Sequence, residues 1–237
     1  MRTKNAIYNI LATWVGQCLL IFVTLVSRKV FLQNLGADYL GVDGLFANIL
    51  SFLSMAELGI GSAITYSLYK PLALIDVDSM KSLMKLYKIS YCIIGALIFI
   101  AGTILTPFLP YIVSNSSGLN NVTLIYFLFL FNTSVSYFFS YKSALIIADQ
   151  KKYIFNINHY TWKITLCAAQ IFVIIKSQNY LAYLALQVVS TILENYTIAR
   201  IADKRYPWLK EKSTKKVPKE TIAEIKKNCL LYTSDAA

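Results

Sequence analysis

A row of polar side chains follows one helical face of an otherwise apolar stretch, residues 153–175. The members recur at i, i+3, i+7 and i+14, and they are Asn156, His159, Lys163 and Gln170. Lys163 lies about 17 Å along a helix from the lysine pair that precedes the stretch. Such a row indicates a water-filled cavity or a protein interior rather than lipid. A helix–helix hydrogen-bond seam is the alternative. The lysine favours the cavity, with all four side chains as substrate-binding candidates.

A carboxylate, Glu57, lies deep in another apolar stretch, residues 42–67. Lys70 on one side is about 20 Å away along a helix, and Gly41 on the other is about 24 Å away. The side chain is therefore too deep to reach water by stretching. A charge at the bilayer centre costs roughly 2.5–3.5 kcal/mol, which makes Glu57 a functional candidate. Two roles stay open for it, the coupling of an ion and the locking of helix packing.

Small and polar residues accompany Glu57. Gly59 and Gly61 are predicted to be bending or close-packing points, and Pro71 is predicted to end the helix. Asn48 belongs to a second polar stripe on the same helix, well round from Glu57. This second stripe adds Asn48 to the substrate-binding candidates.

Two adjacent cations, Arg28 and Lys29, lie near the end of the first apolar stretch. They either face a cavity or extend to the membrane interface. Together with Lys163 they give the predicted interior a cationic bias, and phosphate or pyrophosphate is the natural ligand for such a site.

No motif indicates catalysis. The sequence contains no GxxxxGK[ST] loop, no Ser/His/Asp arrangement and no paired carboxylates. A single histidine and four scattered cysteines offer no metal cluster. We therefore expect no enzymatic activity, no cofactor and no metal.

The elements that position these residues are predicted to be membrane-spanning helices. The chain is 57% hydrophobic and only 15% charged, which is too apolar for an ordinary soluble domain. Six stretches reach the length of about 20 residues that a span needs. They cover residues 7–34, 42–67, 89–109, 121–147, 153–175 and 180–199. The prediction is an all-α polytopic membrane bundle of six transmembrane helices.

The basic residues predict the orientation of this bundle. The net charge is +11, and ten of the 23 lysines and arginines lie at or beyond Arg200. Most of the others fall in alternate loops, which places both termini in the cytoplasm and excludes a nucleic-acid partner. Lys142 is expected to extend to the inner interface, and Glu194 to pair there with Arg200. The segment DSMKSLMKLYK is expected to form a short helix along the membrane surface, capped by Asp78.

The composition divides the chain into three parts. Residues 1–199 are expected to form the transmembrane lobe, and residues 200–228 a basic cytosolic linker with a short helix near 219–228. The last segment, 229–237, begins a new apolar run that stops at once. It is expected to be a truncation tail that is not native.

Five motifs carry a family resemblance, and they are LGADYLGVDGLF, AELGIGSA, SLYKPL, ADQKKY and ADKRYPWLKE. Together they resemble the N-terminal part of bacterial polysaccharide flippases of the Wzx type, within the MATE-like (MOP) transporter superfamily. The resemblance covers about residues 5–228. It is specific to the family and not to a sugar.

The resemblance implies a flippase that moves undecaprenyl-diphosphate-linked oligosaccharide from the inner to the outer leaflet for cell-surface polysaccharide synthesis. It implies two pseudo-symmetric lobes around a basic cavity, and alternating access driven by an ion gradient. Arg28 matches a first-helix basic residue of the family, and Glu57 matches its ELGIG glutamate. Family members have a second lobe after the linker, so this chain is expected to be the N-terminal lobe and inactive alone.

Two other functions remain open. A drug or small-cation exporter of the same superfold is expected to have a more acidic cavity, and the basic bias speaks against it. A non-transporting assembly partner of polysaccharide synthesis stays open because of the expected truncation. The expected location is the bacterial plasma membrane. The expected partners are the lipid-linked oligosaccharide, the bilayer and other biosynthesis proteins such as the polysaccharide polymerase.

Overall fold

The chain folds into helices joined by short connections. The computed structural model describes residues 2–57, 59–113 and 121–211, together with positions 217, 222 and 225. The helices are α1 Arg2–Leu35, α2 Ala37–Ser54, α3 Ile60–Leu74, α4 Val77–Leu105, α5 Leu109–Ile112, α6 Val122–Ala148, α7 Lys152–Ser177 and α8 Tyr180–Arg205. Single turns of 3₁₀ helix cover Met55–Glu57, Thr106–Phe108 and Pro207–Lys210. The predicted all-α class is confirmed over these residues. The expected helix near 219–228 and the expected truncation tail lie outside the continuously described ranges.

Three of the described helical segments are long and apolar enough to cross a membrane. They are Asn5–Leu35, Val77–Tyr111 and Val122–Ala148, and they match the first, third and fourth predicted spans. Their length and composition favour a membrane protein. α7 and α8 also form where helices were predicted, with 26 residues each. Neither is among the three described segments that are apolar enough for a span, so the count of six spans stays a prediction.

The second predicted span is not one helix, and this prediction was wrong. α2 ends at Ser54, a 3₁₀ turn follows, and α3 starts at Ile60. Gly59 has a φ of 89°, in the left-handed region that suits glycine. A residue in that conformation cannot continue a right-handed helix, so α3 begins as a new helix with its own direction.

Pro71 does not end its helix, which is a second correction. α3 continues to Leu74, and Ile75 ends it in the left-handed conformation. A proline removes one backbone donor, but its fixed φ fits a helix, so the chain can complete another turn after it. The end of α3 is set by the next connection and not by Pro71.

The segment expected to lie on the membrane surface is the first part of α4, which is a third correction. α4 runs without a break from Val77 to Leu105, and its cap is Asp76 rather than Asp78. The Asp76 carboxylate accepts from the Ser79 backbone N–H at 3.1 Å and from its hydroxyl at 2.6 Å. The apolar face of this part is buried against protein, because Met80, Leu83, Met84 and Tyr87 are each at most 4% exposed.

The starts of α1 and α7 and the ends of α6 and α8 lie at one end of the bundle. The Asn9 side chain donates to the Gln150 carbonyl at 3.1 Å and accepts from the Tyr153 N–H at 2.6 Å. After α8, the Tyr206 hydroxyl donates to Asp149 at 2.6 Å. Burial and this hydrogen bond raise the pKa of Tyr206, so its hydroxyl stays protonated and remains a donor.

The start of α4 lies at the same end of the bundle, as two ion pairs show. We call this end the basic end. Lys81 pairs with Glu211 at 2.5 Å, and Lys142 of α6 contacts both carboxylate oxygens of Asp203 in α8, at 2.7 and 2.8 Å. The Lys142 side chain is only 19% exposed. Its expected extension to the inner interface stays a prediction, and the structure adds a carboxylate of α8 as its partner at the basic end.

Close helix contacts hold the bundle together. α1 packs on α7, α6 packs on α4 and α8, and α3 packs on α4 and α6. Glycines bring α4 and α6 close, since Gly95 and Gly102 are buried and face α6. The Tyr126 hydroxyl of α6 donates to the Gly102 carbonyl at 2.9 Å. Small residues of this kind give membrane helices their packing contact.

Candidate functional site

Glu57 lies at the break between α2 and α3, next to the first turn of α3. The Tyr91 hydroxyl of α4 donates to Glu57 Oε1, and the Tyr87 hydroxyl lies 3.2 Å from that of Tyr91. Tyr87 also reaches the Gly61 carbonyl at 3.4 Å. The side chain of Glu57 is half-buried. Among the described residues no lysine, arginine or histidine pairs with it, so its partners are hydroxyl donors and the positive end of α3.

Gly61 allows the two tyrosines to approach Glu57. A Cβ at Gly61 would collide with the Tyr91 hydroxyl oxygen and lie 3.1 Å from that of Tyr87. The rings of Tyr87 and Tyr91 are themselves in contact, with centroids 4.6 Å apart. The bend at Gly59 and the close approach at Gly61 together place Glu57 against α4.

Arg28 forms a second cluster, which lies near the end of α1 that is farther from the basic end. Its Nη1 lies 3.2 Å from Oδ2 of Asp43 in α2, and the Tyr180 hydroxyl of α8 donates to Asp43 Oδ1 at 3.4 Å. The Arg28 side chain is 48% exposed, whereas that of Asp43 is 12% exposed. Tyr180 is buried and meets the edge of the Phe31 ring. Arg28 therefore has a protein partner and also keeps a face open to a ligand.

The polar row on α7 divides between two neighbouring helices. The Asn156 amide donates to the Thr13 hydroxyl of α1 at 2.7 Å. His159 Nδ1 lies 2.7 Å from Glu194 of α8, and Gln170 donates to the Tyr183 carbonyl of α8 at 3.3 Å. These are the contacts of a helix–helix seam, the alternative left open by the sequence.

Lys163 differs from the other members of this row. Its side chain is half-buried near the middle of α7, yet no carboxylate pairs with it within the described ranges. By contrast, Arg28, Lys81, Lys142 and Lys151 each pair with a carboxylate. Lys163 is thus a cation in the body of the bundle that the described protein groups do not neutralise.

The expected pair between Glu194 and Arg200 does not form. Glu194 faces α7 and pairs with His159, while Arg200 lies over the ring of Tyr196, 4.9 Å from its centroid. Six residues advance a helix by roughly 600°, so Arg200 points to a different side of α8 from Glu194. The distance along α8 between Glu194 and Arg200 could therefore not reveal that Glu194 pairs with α7.

The remaining candidates, Lys29 and Asn48, are both exposed. Asn48 lines an apolar groove of about 660 Å³ between α2 and α4, beside Phe52 and Tyr126. The candidates thus lie in separate places. Glu57 belongs to the contact of α3 with α4, and Lys163 belongs to α7, which packs on α1 and α8.

Asp43 was not identified from the sequence, nor were the two tyrosines whose hydroxyl groups donate to Glu57 and Asp43. Asp43 had a visible signal, because it is a carboxylate inside the apolar stretch 42–67. Tyr91 and Tyr180 had none, since the chain contains 17 tyrosines and nothing in their spacing marks these two.

The Asp43→Ala variant is expected to lose about 1–3 kcal/mol of stability. Most of this loss comes from the buried Tyr180 hydroxyl, which would lose its acceptor. The ion pair contributes little because Arg28 is half exposed. Thermal unfolding of the purified chain in detergent measures the effect. Asp38→Ala, an exposed carboxylate in the first turn of the same helix, is the matched control. Equal stability of the two variants would contradict a structural role for Asp43.

No protein-family model matches the chain, and no curated protein and no solved structure matches it either.

Proposed function

We propose that the chain is the N-terminal lobe of a flippase that moves undecaprenyl-diphosphate-linked oligosaccharide across the bacterial plasma membrane. The motifs that resemble Wzx-type proteins suggest the family, and the apolar helices agree with a membrane transporter. The protein carries out no bond chemistry in this proposal. Its task is to bind a diphosphate-linked lipid on one side of the membrane and release it on the other.

The observation that carries the proposal is Lys163, a half-buried residue that pairs with no carboxylate among the residues that the structure describes. A lysine away from water is costly unless an anion or water accompanies it. The diphosphate of a lipid-linked sugar would supply that anion, since lysine binds phosphate as a point charge. The exposed faces of Arg28 and Lys29 offer further positive charge on α1.

The proposed orientation puts the basic end in the cytoplasm. The contacts of Asn9, Lys81 and Lys142 bring lysine-rich segments to one end of the bundle. Loops rich in lysine and arginine favour the cytoplasmic side. α1 begins and α8 ends at the basic end, which supports an even number of spans between them, such as the six expected from the sequence.

The Lys163→Ala variant of the full-length protein tests the proposal in the bacterium that carries the gene. We expect surface polysaccharide to fall about tenfold, because one charge-assisted hydrogen bond to phosphate contributes roughly 1.5 kcal/mol or more. Immunodetection of the polymer measures the effect, and an immunoblot of the membrane fraction checks that the protein is present. Lys163→Arg should keep at least part of the activity because it keeps the positive charge.

Lys176→Ala is the matched control, since Lys176 is an exposed lysine near the end of the same helix. It should leave surface polysaccharide unchanged. Normal polymer in Lys163→Ala cells would contradict the role of Lys163. Altered drug susceptibility with unchanged polymer would favour the exporter. Loss of polymer on gene deletion, with no effect of Lys163→Ala, would favour the non-transporting assembly partner.

A further inference from the structure

A cavity of about 300 Å³ lies at the basic end, between the start of α4, the end of α6 and the segment after α8. We call it the lysine pocket, and the residues that matter in it are Lys81, Lys85, Lys88, Tyr141, Lys142 and Glu211. Lys81, Lys85 and Lys88 recur at i, i+4 and i+7, so one face of α4 supplies three of the four lysines. Neither the polar row on α7 nor the Glu57 cluster belongs to this pocket.

The lysine pocket has more positive than negative charge. Glu211 pairs with Lys81 and Asp203 pairs with Lys142. Lys85 and Lys88 are exposed, and among residues 2–57, 59–113 and 121–211 no carboxylate pairs with either. Four lysines and two carboxylates therefore leave two positive charges, which suit an anion.

A shallow apolar groove of about 460 Å³, whose lining residues all lie on the outer face of α4, adjoins the pocket and shares Lys85 and Lys88 with it. The rest of the groove consists of Ile89, Cys92, Ile93 and Ala96, which follow the two lysines along α4. Ile89 is 48% exposed and Ile93 is 55% exposed, so the groove opens outward from the bundle. A ligand that fills both spaces needs a negative head and an apolar chain.

The depth of the two lysines fits the head groups of the bilayer. α4 has no charge from Ile89 to Leu105, a length of about 25 Å. This is close to the hydrocarbon thickness of about 30 Å. Lys88 and Lys85 therefore lie at the boundary between hydrocarbon and head groups, where lysine binds lipid phosphate.

We propose that this site binds an anionic phospholipid, with its phosphate between Lys85 and Lys88 and an acyl chain along Ile89, Ile93 and Ala96. The groove favours a lipid over free phosphate, because inorganic phosphate has no apolar part that could contact the groove. Its outward opening favours a phospholipid of the surrounding bilayer over a transported substrate. The site does not depend on the proposed transport function.

Native mass spectrometry of the full chain in detergent tests the site, with phosphatidylglycerol and phosphatidylcholine as the added lipids. We expect the double variant Lys85→Gln/Lys88→Gln to raise the Kd for phosphatidylglycerol about tenfold or more, since each lysine near an anionic lipid contributes measurably to binding. The matched control is Lys70→Gln/Lys152→Gln, which removes two exposed lysines from the same end outside the pocket. It should leave the Kd within about twofold of that of the unchanged chain.

A third variant tests the groove. Ala96→Phe places a ring in the apolar groove from an exposed position, and it should also weaken phosphatidylglycerol binding without lowering the unfolding temperature. Equal binding of phosphatidylcholine, or equal effects of the two double variants, would overturn the proposal. Competition by inorganic phosphate at similar concentration would assign the pocket to free phosphate instead. Binding of undecaprenyl diphosphate with none of phosphatidylglycerol would assign it to the substrate, and would also overturn the proposal.

Discussion

Gly95→Leu is expected to lower the free energy of unfolding by about 3 kcal/mol. A Cβ at Gly95 would lie 3.1 Å from the Ser134 carbonyl oxygen and 3.2 Å from the Tyr137 Cβ. Neither atom is the end of a flexible side chain, so the backbone of α6 would have to move. A leucine adds three further carbons in the same space. Thermal or denaturant unfolding of the purified chain in detergent would measure the loss.

Ala96→Leu provides a control for this variant at the next position of α4. Ala96 is exposed, so the added carbons enter lipid or detergent rather than α6. Leucine is a better helix former than glycine by nearly 1 kcal/mol, so propensity alone would stabilise Gly95→Leu. A variant at Gly95 as stable as the Ala96 variant would show that α4 and α6 are not held as closely as described.

The positions of the long helices could be predicted because apolar length decides them. The stretch expected at 153–175 forms α7, Lys152–Ser177, and the stretch expected at 121–147 forms α6, Val122–Ala148. A bend or close packing at Gly59 was predicted, but not that one helix ends and another begins there. The run 42–67 is apolar on both sides of it, and the conformation of a single glycine decides whether the helix continues.

The partners of the polar residues could not be predicted because they lie on different helices. Glu57 and Tyr91 are 34 residues apart, and His159 and Glu194 are 35 residues apart. Periodicity indicates which side of a helix is polar, but it does not say which neighbour that side meets. In a membrane that choice depends on detailed packing, since lipid and apolar side chains are similar surroundings.

Because the sequence does not show which helices meet, it also does not show which of the basic residues have a carboxylate partner. Arg28 was counted as a free cation of the interior, but Asp43 lies beside it. Lys163 was counted in the same way and has no carboxylate partner in the described ranges. Only the arrangement of the helices distinguishes Lys163, which has no carboxylate partner among the described residues, from Arg28, which has one and is half exposed.

An ion-coupling role of Glu57 in the proposed flippase predicts that Glu57→Gln in the full-length protein reduces surface polysaccharide by about tenfold or more while leaving the protein folded. Glutamine keeps an oxygen that can accept the Tyr91 hydroxyl, so the contact between the α2–α3 break and α4 is retained. It removes the negative charge, and with it the ability to bind a cation or exchange a proton. The unfolding free energy should therefore change by less than about 1 kcal/mol. Polymer immunodetection and unfolding of the purified chain measure the two effects.

Tyr91→Phe makes the opposite change and completes the test. It keeps the Glu57 charge but removes the hydroxyl that holds it, so the stability should fall by about 1 kcal/mol, the contribution of one hydrogen bond. An ion-coupling role predicts a larger loss of polymer for Glu57→Gln than for Tyr91→Phe. A packing role predicts the reverse, because only the phenylalanine variant breaks the contact. Normal polymer in Glu57→Gln cells would leave Glu57 as a helix lock, held in the membrane by the bend at Gly59 and by the hydroxyl groups of α4.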